Sequence, residues 1–309
     1  MKRLMITGAG GFVAGSVLLQ AKGRWETLAI IRKPDPAVAA AASRTEVADI
    51  TDSASLRAFF EAFRPDAVIH TAALADIDYC EQHPEQTYTV NATGSEIIAA
   101  YCAEYGCRLV FCSTDTVFDG KRGMYTETDV PTPVNAYARS KAEAERLTLS
   151  RLPNSAVARL SLVLGIPLIA RGNAFLPGLL RRLSAGEAAP FPSNEIRTPV
   201  DVVTVGAALL ELAENAYRGF LHLSGNTRLS RYEMACRIAR HLGYPETLIQ
   251  PVDSSAMPDR APRPADVSLD NTLAQSVLST PMLSLEEGLD LSLRTAEEIF
   301  GNVIPKNST

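Results

Sequence analysis

Positive charge is not in excess in this chain. Its 309 residues carry 30 Lys and Arg against 35 Asp and Glu, a formal net charge of −5 and a pI near 5.5. A polyanion partner needs a basic surface, so nucleic-acid binding is not expected. Cysteine is scarce. Cys80, Cys102, Cys107, Cys112 and Cys236 are odd in number and make no Cys-x-x-Cys spacing, which argues against a disulfide framework or a zinc site. Several sit in apolar runs, where a free thiol behaves as a small hydrophobe, and a reducing cytoplasmic location is expected. His70, His83, His222 and His241 are scattered without a His-x-x-x-His pair, so no metal site is expected. No run reaches the ~18 apolar residues of a membrane span, and no membrane association is expected. Met1-Lys2-Arg3 and the apolar stretch to Ala21 have the outline of a secretory leader. Thr7-Gly8-Ala9-Gly10-Gly11 interrupts that stretch, and a strand, turn and helix account for it better.

What is present is ordinary globular material, 46% hydrophobic and 21% charged. The length suffices for one large core or two joined ones. Short apolar runs at Lys2–Ile6, Thr27–Ile31, Arg44–Val47, Ala67–His70, Arg108–Cys112 and Ala156–Leu162 read as strands. Helical patterns separate them at Phe12–Ala21, Ser53–Phe63, Pro84–Tyr105 and Val134–Arg151, with a short helix over Ala37–Ala42. Alternation of this kind predicts right-handed βαβ units and a parallel sheet covered on both faces. The expected fold class is α/β: a Rossmann-type, doubly wound parallel sheet with a smaller C-terminal substrate-binding domain.

After Gly165 the texture changes to Pro- and Gly-punctuated chain, with helices near Phe175–Ala185, Val200–Asn215, Ser230–Leu242 and Leu285–Phe300 and a strand at Phe220–Leu223. Ser230 with Glu233 forms a capping-box pattern. The Pro-rich stretch Met257–Pro264 cannot be helix interior. We expect a dinucleotide-binding domain over 1–165, rejoined by 196–224, and a substrate-binding domain over 166–309.

Thr7-Gly8-Ala9-Gly10-Gly11-Phe12-Val13-Ala14 follows a strand and opens a helix. In that context glycines let the backbone approach a pyrophosphate, and the amide groups of the helix start face its charge. The second strand ends Ile30-Ile31-Arg32-Lys33. A carboxylate there grips a ribose 2′-hydroxyl, whereas Arg32 and Lys33 suit a 2′-phosphate. NADP(H) is therefore preferred, with NAD(H) as the other choice.

Tyr137-Ala138-Arg139-Ser140-Lys141 puts a phenol and an ammonium one helical turn apart. A phenol of pKa about 10 is a weak acid-base group, and a neighbouring ammonium brings it toward useful strength. Upstream, Leu109-Val110-Phe111-Cys112-Ser113-Thr114-Asp115 ends a central strand in hydroxyls. They lie at the carboxyl edge where open α/β sheets bind ligands, in reach of a substrate carbonyl.

With those residues the chain resembles the extended short-chain dehydrogenases, and within them the dTDP-4-dehydrorhamnose reductase-like proteins. The likeness extends through Thr71-Ala72-Ala73-Leu74 with Asp78, Val90-Asn91-Ala92-Thr93-Gly94, Ser113 to Gly120, Tyr125 to Asp129, Pro133 to Tyr137, Arg197-Thr198-Pro199, Leu229 to Glu233, and Arg260 to Pro264 with Leu269-Asp270. The resemblance implies that Thr114, Tyr137 and Lys141 form a catalytic triad. Tyr137 protonates a ketone oxygen as hydride arrives, Thr114 polarises the carbonyl, and Lys141 tunes Tyr137 and holds the ribose. Gly8, Gly11, Phe12 and Val13 are implied at the pyrophosphate and Asp49 and Ile50 at the adenine. Ala72, Ala73 and Leu74 line the cofactor groove, and Asn91 supports it. Thr114, Asp115 and Asn173 are implied at the substrate, a nucleotide-linked sugar, and a homodimer is compatible with the family.

Two departures stand out. Such reductases typically carry Thr-Ser-Trp-Val-Tyr after the residue matching Arg159, with an aromatic touching the sugar; this chain has Leu160-Ser161-Leu162-Val163-Leu164. A stacking surface for a pyranose is thereby lost. Thr204 occupies a position usually held by aspartate. The expected activity is NADP(H)-dependent reduction of a nucleotide-linked 4-keto-6-deoxy sugar. The alternatives are a nucleotide-sugar epimerase or dehydratase, and a non-catalytic cofactor-binding regulatory subunit.

Overall fold

The computed structural model describes residues 1–169, 175–256 and 260–301. Six parallel strands are laid down first: β1 (Lys2–Thr7), β2 (Trp25–Ile31), β3 (Arg44–Val47), β4 (Ala67–His70), β5 (Arg108–Thr114) and β6 (Ala156–Leu160). Helices α1 (Phe12–Ala21), α2 (Pro36–Ala41), α3 (Ser53–Phe63), α4 (Ile77–Gln82), α5 (Pro84–Tyr88), α6 (Gly94–Tyr105) and α7 (Ala136–Arg151) lie between them. Then follow β7 (Val163–Leu164), α8 (Phe175–Ser184), β8 (Ala189–Pro192), β9 (Ile196–Arg197), β10 (Val200–Asp201), α9 (Val202–Glu214), β11 (Gly219–Leu223), β12 (Leu229–Ser230), α10 (Arg231–His241), β13 (Ile249–Val252), α11 (Thr272–Val277) and α12 (Leu285–Phe300).

The main sheet has seven strands in the order β11-β6-β5-β4-β1-β2-β3, every neighbouring pair parallel. This is the expected Rossmann-type doubly wound α/β fold. Why it is buried on both sides can be read in the strands. Leu4 and Ile6 of β1 pack with Val17 and Leu18 of α1 and Val205 and Leu209 of α9. Met5, between them, points the other way, to Leu56 and Phe60 of α3 and Ile98 of α6. Period-two alternation thus serves two apolar layers, each large side chain contributing roughly 1.5–3 kcal/mol on full burial.

A second, smaller core forms around α8, α10 and α12. Leu176, Leu179, Leu180 and Leu183 occupy one stripe of α8 and meet Met234 and Ile238 of α10 and Leu289 and Leu293 of α12. Both Ser230 and Ser284 close capping boxes, with Glu233 and Glu287 respectively.

The differences from the sequence-based expectations are local. β5 runs two residues further, to Thr114, and β6 stops at Leu160 rather than Leu162. Val200 and Asp201 are strand, not helix. Asp201 then caps α9 by accepting from the Val203 and Thr204 amides at 3.0 and 2.8 Å. The helix expected over Pro84–Tyr105 is broken at Thr89–Thr93 into a π-helical turn, a register change that apolar periodicity does not report. Of the stretch Met257–Pro264, residues 257–259 lie outside the described residues, and Arg260–Pro264 are neither helix nor strand.

Candidate active site

The carboxyl edge of the sheet is where β1, β4 and β5 release the chain toward α1, α4 and α7. At the end of β1, Gly8 has φ +68°, and a Cβ there would stand 2.6 Å from the Ala72 Cα. Only glycine fits this crossing of two backbones. Gly11 caps α1 without any side-chain hydrogen bond and donates its own N–H to the Gly8 carbonyl at 2.8 Å. Phe12 and Val13 form the first helical turn, whose amides have no partner within the helix and face outward.

Beside this turn lies a cavity of about 510 Å³. Seven of the residues expected at the cofactor line it: Gly8, Arg32, Asp49, Ile50, Ala72, Ala73 and Leu74. Gly11, Phe12 and Val13 stand at the α1 start and are not part of its lining. Asp49 is exposed at the cavity mouth, its Oδ1 accepting from the Thr51 amide at 2.9 Å and the Thr51 hydroxyl at 2.7 Å. Arg32 is exposed and, among the described residues, makes no ion pair; Lys33 is likewise exposed and unpaired. Tyr79 and Gln86 also line the cavity; Tyr79 sits on α4, which was not foreseen, and Gln86 lies in an expected helix but carries no binding signal in its spacing. Their side chains hydrogen-bond each other at 2.8 Å.

Asn91 sits inside the π turn, fully buried. Its Oδ1 accepts from the Leu74 amide at 2.8 Å, and its Nδ2 donates to the Leu74 carbonyl and to the Ser140 hydroxyl, both at 2.9 Å. One side chain therefore ties the cavity wall to α7. The extra residue of the π turn sits at the point where this tie is made.

α7 is fastened at its start from several sides. Asn135 accepts from the Ala138 amide at 2.8 Å and donates to the Pro262 carbonyl at 2.9 Å, while Glu81 accepts from the Ala136 amide at 2.6 Å. This places half-buried Tyr137 in the first turn and buried Lys141 in the second. Thr114, at the last position of β5, faces the Tyr137 phenol, and its hydroxyl meets Asp115 Oδ1 at 3.2 Å and the Thr116 hydroxyl at 3.0 Å. The Lys141 ammonium donates to the Cys112 carbonyl at 2.7 Å and lies 4.1 Å from the centre of the Phe111 ring. The three residues expected to act together are thus assembled on one seam.

Their electrostatics follow from the low-dielectric surroundings. Burial pushes the Tyr137 phenol well above its usual value, with the Thr114 hydrogen bond pulling the other way. Burial brings Lys141 down to about 8, against the pull of Cys112 and Glu145. Asp115 is buried and raised to about 6 by desolvation, opposed by Arg197, whose Nε is 3.9 Å away. Ser161 also donates to Asp115, at 3.3 Å. Asp115 also accepts from the Thr114 hydroxyl at 3.2 Å, whereas Asn173 lies outside the described residues. Among the described residues no group of three or more His, Cys, Asp or Glu could hold a metal ion, and no helix is long and apolar enough to cross a membrane.

A model of the RmlD substrate binding domain matches residues 1–297. The chain belongs to that family. Relatives of this RmlD-family chain include the dTDP-4-dehydrorhamnose reductase of Aggregatibacter actinomycetemcomitans, 31% identical over 89% of this chain and 92% of that protein. They also include the methionine adenosyltransferase 2 subunit beta of Xenopus tropicalis, 30% identical over 87% of this chain and 80% of that protein. Among solved structures, the dTDP-4-dehydrorhamnose reductase of Bacillus anthracis in complex with NADP superposes with a TM-score of 0.84 at 25% identity, covering 95% of this chain and 99% of that one.

Proposed function

We propose that this RmlD-family protein is an NADP(H)-dependent oxidoreductase that reduces the keto group of a nucleotide-linked 4-keto-6-deoxy sugar. The observation that carries the reading is the joint placement of Thr114, Tyr137 and Lys141 on the α7–β5 seam. The neighbouring cavity fits the cofactor. Its floor is the Gly8–Ala72 crossing that a side chain would fill, and Arg32, which lines it, supplies a cation suited to a 2′-phosphate. When bound, NADPH supplies the hydride. We assign dinucleotide binding to residues 1–165 with 196–224, and sugar binding to 166–309 with Thr114 and Asp115. A cytoplasmic setting and a homodimer agree with this reading.

In the reduction, Thr114 donates a hydrogen bond to the ketone oxygen and draws charge onto it. Tyr137, held protonated by its buried setting, transfers its proton to that oxygen as the carbonyl carbon gains hydride. The Lys141 ammonium stabilises the phenolate left behind and offers hydrogen bonds toward the ribose. Ketone, hydride and proton thus balance to a secondary alcohol, and the phenolate regains its proton from solvent. Substrate-dependent NADPH oxidation tests this directly: Tyr137→Phe should lower kcat/KM by ~10²–10⁴, the scale of one general acid. Undiminished activity in that variant would refute the mechanism.

The similarity to methionine adenosyltransferase 2 subunit beta motivates a second reading, in which the fold serves as a cofactor-bound regulatory subunit. The run Leu160-Ser161-Leu162-Val163-Leu164 gives it room, since no aromatic is present there to stack on a sugar. Stable co-purification with a larger enzyme, together with no turnover of any keto sugar, would favour it. Turnover without net nicotinamide consumption would instead point to epimerase or dehydratase chemistry.

A further inference from the structure

Three consecutive residues of β5 are each tied to a different turn of α7. Thr114 meets Tyr137, the Cys112 carbonyl accepts from Lys141, and the Ser113 hydroxyl donates to Glu145 at 2.6 Å. The first two ties belong to the proposed proton donor and its partner. The third involves a carboxylate that does not line the cofactor cavity. Glu145 is 1% exposed, and the Arg159 side chain that pairs with it is fully buried. The pair is bidentate, with Nε to Oε1 at 2.9 Å and Nη2 to Oε2 at 2.8 Å. The guanidinium is sandwiched between the Phe220 and Phe118 rings, 4.0 and 5.0 Å from their centres, and meets His222 Nε2 at 3.5 Å.

Such a pair is a costly way to hold a helix on a sheet. Desolvating two charges consumes most of their attraction, and apolar residues of equal volume often hold as well or better. A negative charge at this position therefore calls for a charge-based reason, and Lys141 supplies one. Glu145 follows Lys141 by one turn on the same face of α7, where the Cβ atoms of such neighbours lie about 5–6 Å apart. The other groups facing Lys141 are neutral near pH 7. His70 on β4 is brought down to about 3 by burial, the Cys112 thiol on β5 is raised to about 12, and the Tyr137 phenol is raised as well. Nearby carboxylates are engaged elsewhere, Asp115 with Arg197 and Glu81 with the Ala136 amide and Arg139.

We propose that Glu145, locked in place by Arg159, is a positioning residue whose carboxylate is the counter-charge that keeps the Lys141 ammonium protonated beside Tyr137. The inference deepens the reductase reading and rests on its assignment of Lys141 and Tyr137. Arg159 fixes both carboxylate oxygens, and Ser113 carries the same constraint to the residue next to Thr114. The ion pair thereby sets both the charge of Lys141 and the register of the β5 edge.

The test reads Lys141 without requiring turnover. The chain contains six lysines, so lysine-selective isotope labelling and NMR titration of the side-chain signals, assigned with Lys141→Arg, follow this one ammonium in the full-length protein. In Glu145→Gln the Lys141 midpoint should fall by about one pH unit, the low end for loss of one close counter-charge. The alkaline limb of kcat/KM should move with it, and Glu145→Asp should restore most of both. The double variant Glu145→Gln/Arg159→Met removes both charges at similar volume. It should regain thermal stability lost in Glu145→Gln while its Lys141 midpoint remains below wild type, and it keeps the test alive if Glu145→Gln alone does not fold. An unmoved midpoint in Glu145→Gln, or a wild-type midpoint in the double variant, overturns the inference. If instead no variant, wild type included, reduces a keto sugar, the reductase reading fails while the titration still decides the role of Glu145.

Discussion

Gly8 and Ala72 cross so closely that a methyl group on Gly8 would lie 2.6 Å from the Ala72 Cα and 2.7 Å from its backbone nitrogen. The contact joins the turn after β1 to the exit of β4, two walls of the same cavity. Gly8→Ala has no flexible neighbour to push aside, and its φ of +68° adds roughly 1–2 kcal/mol of left-handed strain. We expect at least a tenfold rise in the NADPH dissociation constant, measured by fluorescence titration, and a lowered Tm. Gly10→Ala is the comparison, since nothing lies within 4 Å of a Cβ there. Equal effects at the two positions would mean that the crossing does not shape the cavity.

Arg32 lines the cavity and, among the described residues, has no ion pair to lose. Arg32→Ala should therefore leave Tm within about 1 °C of wild type, as surface substitutions usually do. NADPH affinity should fall by about tenfold or more, because an arginine–phosphate contact is charge-assisted. NADH affinity should change little. A uniform loss for both coenzymes would place the 2′-phosphate elsewhere.

The pH dependence of reduction follows from Lys141. Burial brings this ammonium down to about 8, so it is charged below that pH and neutral above it. Tyr137, raised by the same burial, keeps its proton throughout and remains competent as the acid. The expected profile of kcat/KM for ketone reduction is flat or rising toward neutrality and falls above about pH 8. Lys141→Met should remove that limb and lower the plateau by ~10²-fold, within the usual span for a group assisting proton transfer. A limb that persists in the variant would assign it to another group.

How much of this was legible in the chain depends on what kind of signal each feature leaves. β1 to α1, with its glycine turn, and the Tyr137–Lys141 pair were readable because short-range spacing determines both. α4 and the π turn at Thr89–Thr93 were not, since six residues of mixed polarity and an i to i+5 hydrogen bond leave no periodic trace. The extension of β5 through Ser113 and Thr114 was not legible because hydroxyls are common turn residues, yet here Glu145 accepts from Ser113, and Thr114 bonds to Asp115 and Thr116. Arg159 did leave a sign: a single charge inside the apolar run Ala156–Leu162. A buried sheet tolerates that only with a partner, and the partner, Glu145, lies eight residues beyond Tyr137 on the same helix face. Pairing the two required knowing that β5 and β6 are neighbours, which is a tertiary fact.

Acid stability gives the last expectation. His70 and His222 are buried and neutral, each brought down to about 3, by burial first and then by Lys141 and Arg159 respectively. Their hydrogen bonds explain why a second proton is unwelcome. Ser95 spends its hydrogen on the Asn91 carbonyl at 2.5 Å, so it accepts from His70 Nε2 at 2.9 Å, and His70 Nδ1 must accept from Thr7 at 2.5 Å. His222 Nε2 faces an arginine donor, so its proton sits on Nδ1, 3.1 Å from the Tyr125 carbonyl. In the unfolded chain both titrate near 6.5, so between about pH 6.5 and 3 the unfolded state binds more protons and stability falls as pH falls. The slope is up to about 1.4 kcal/mol per pH unit for each histidine. Asp115 runs opposite. Raised to about 6 in the fold, it binds its proton more tightly there, and between about pH 6 and 4 it offsets roughly one histidine. Denaturant unfolding from pH 7 to 4 should therefore show a net loss of about one histidine's worth below pH 6, beyond the contribution of surface carboxylates. Asp115→Asn should steepen that loss, and His70→Gln should flatten it. If Asp115→Asn leaves the slope unchanged, Asp115 is not the raised carboxylate its buried position beside Tyr137 implies.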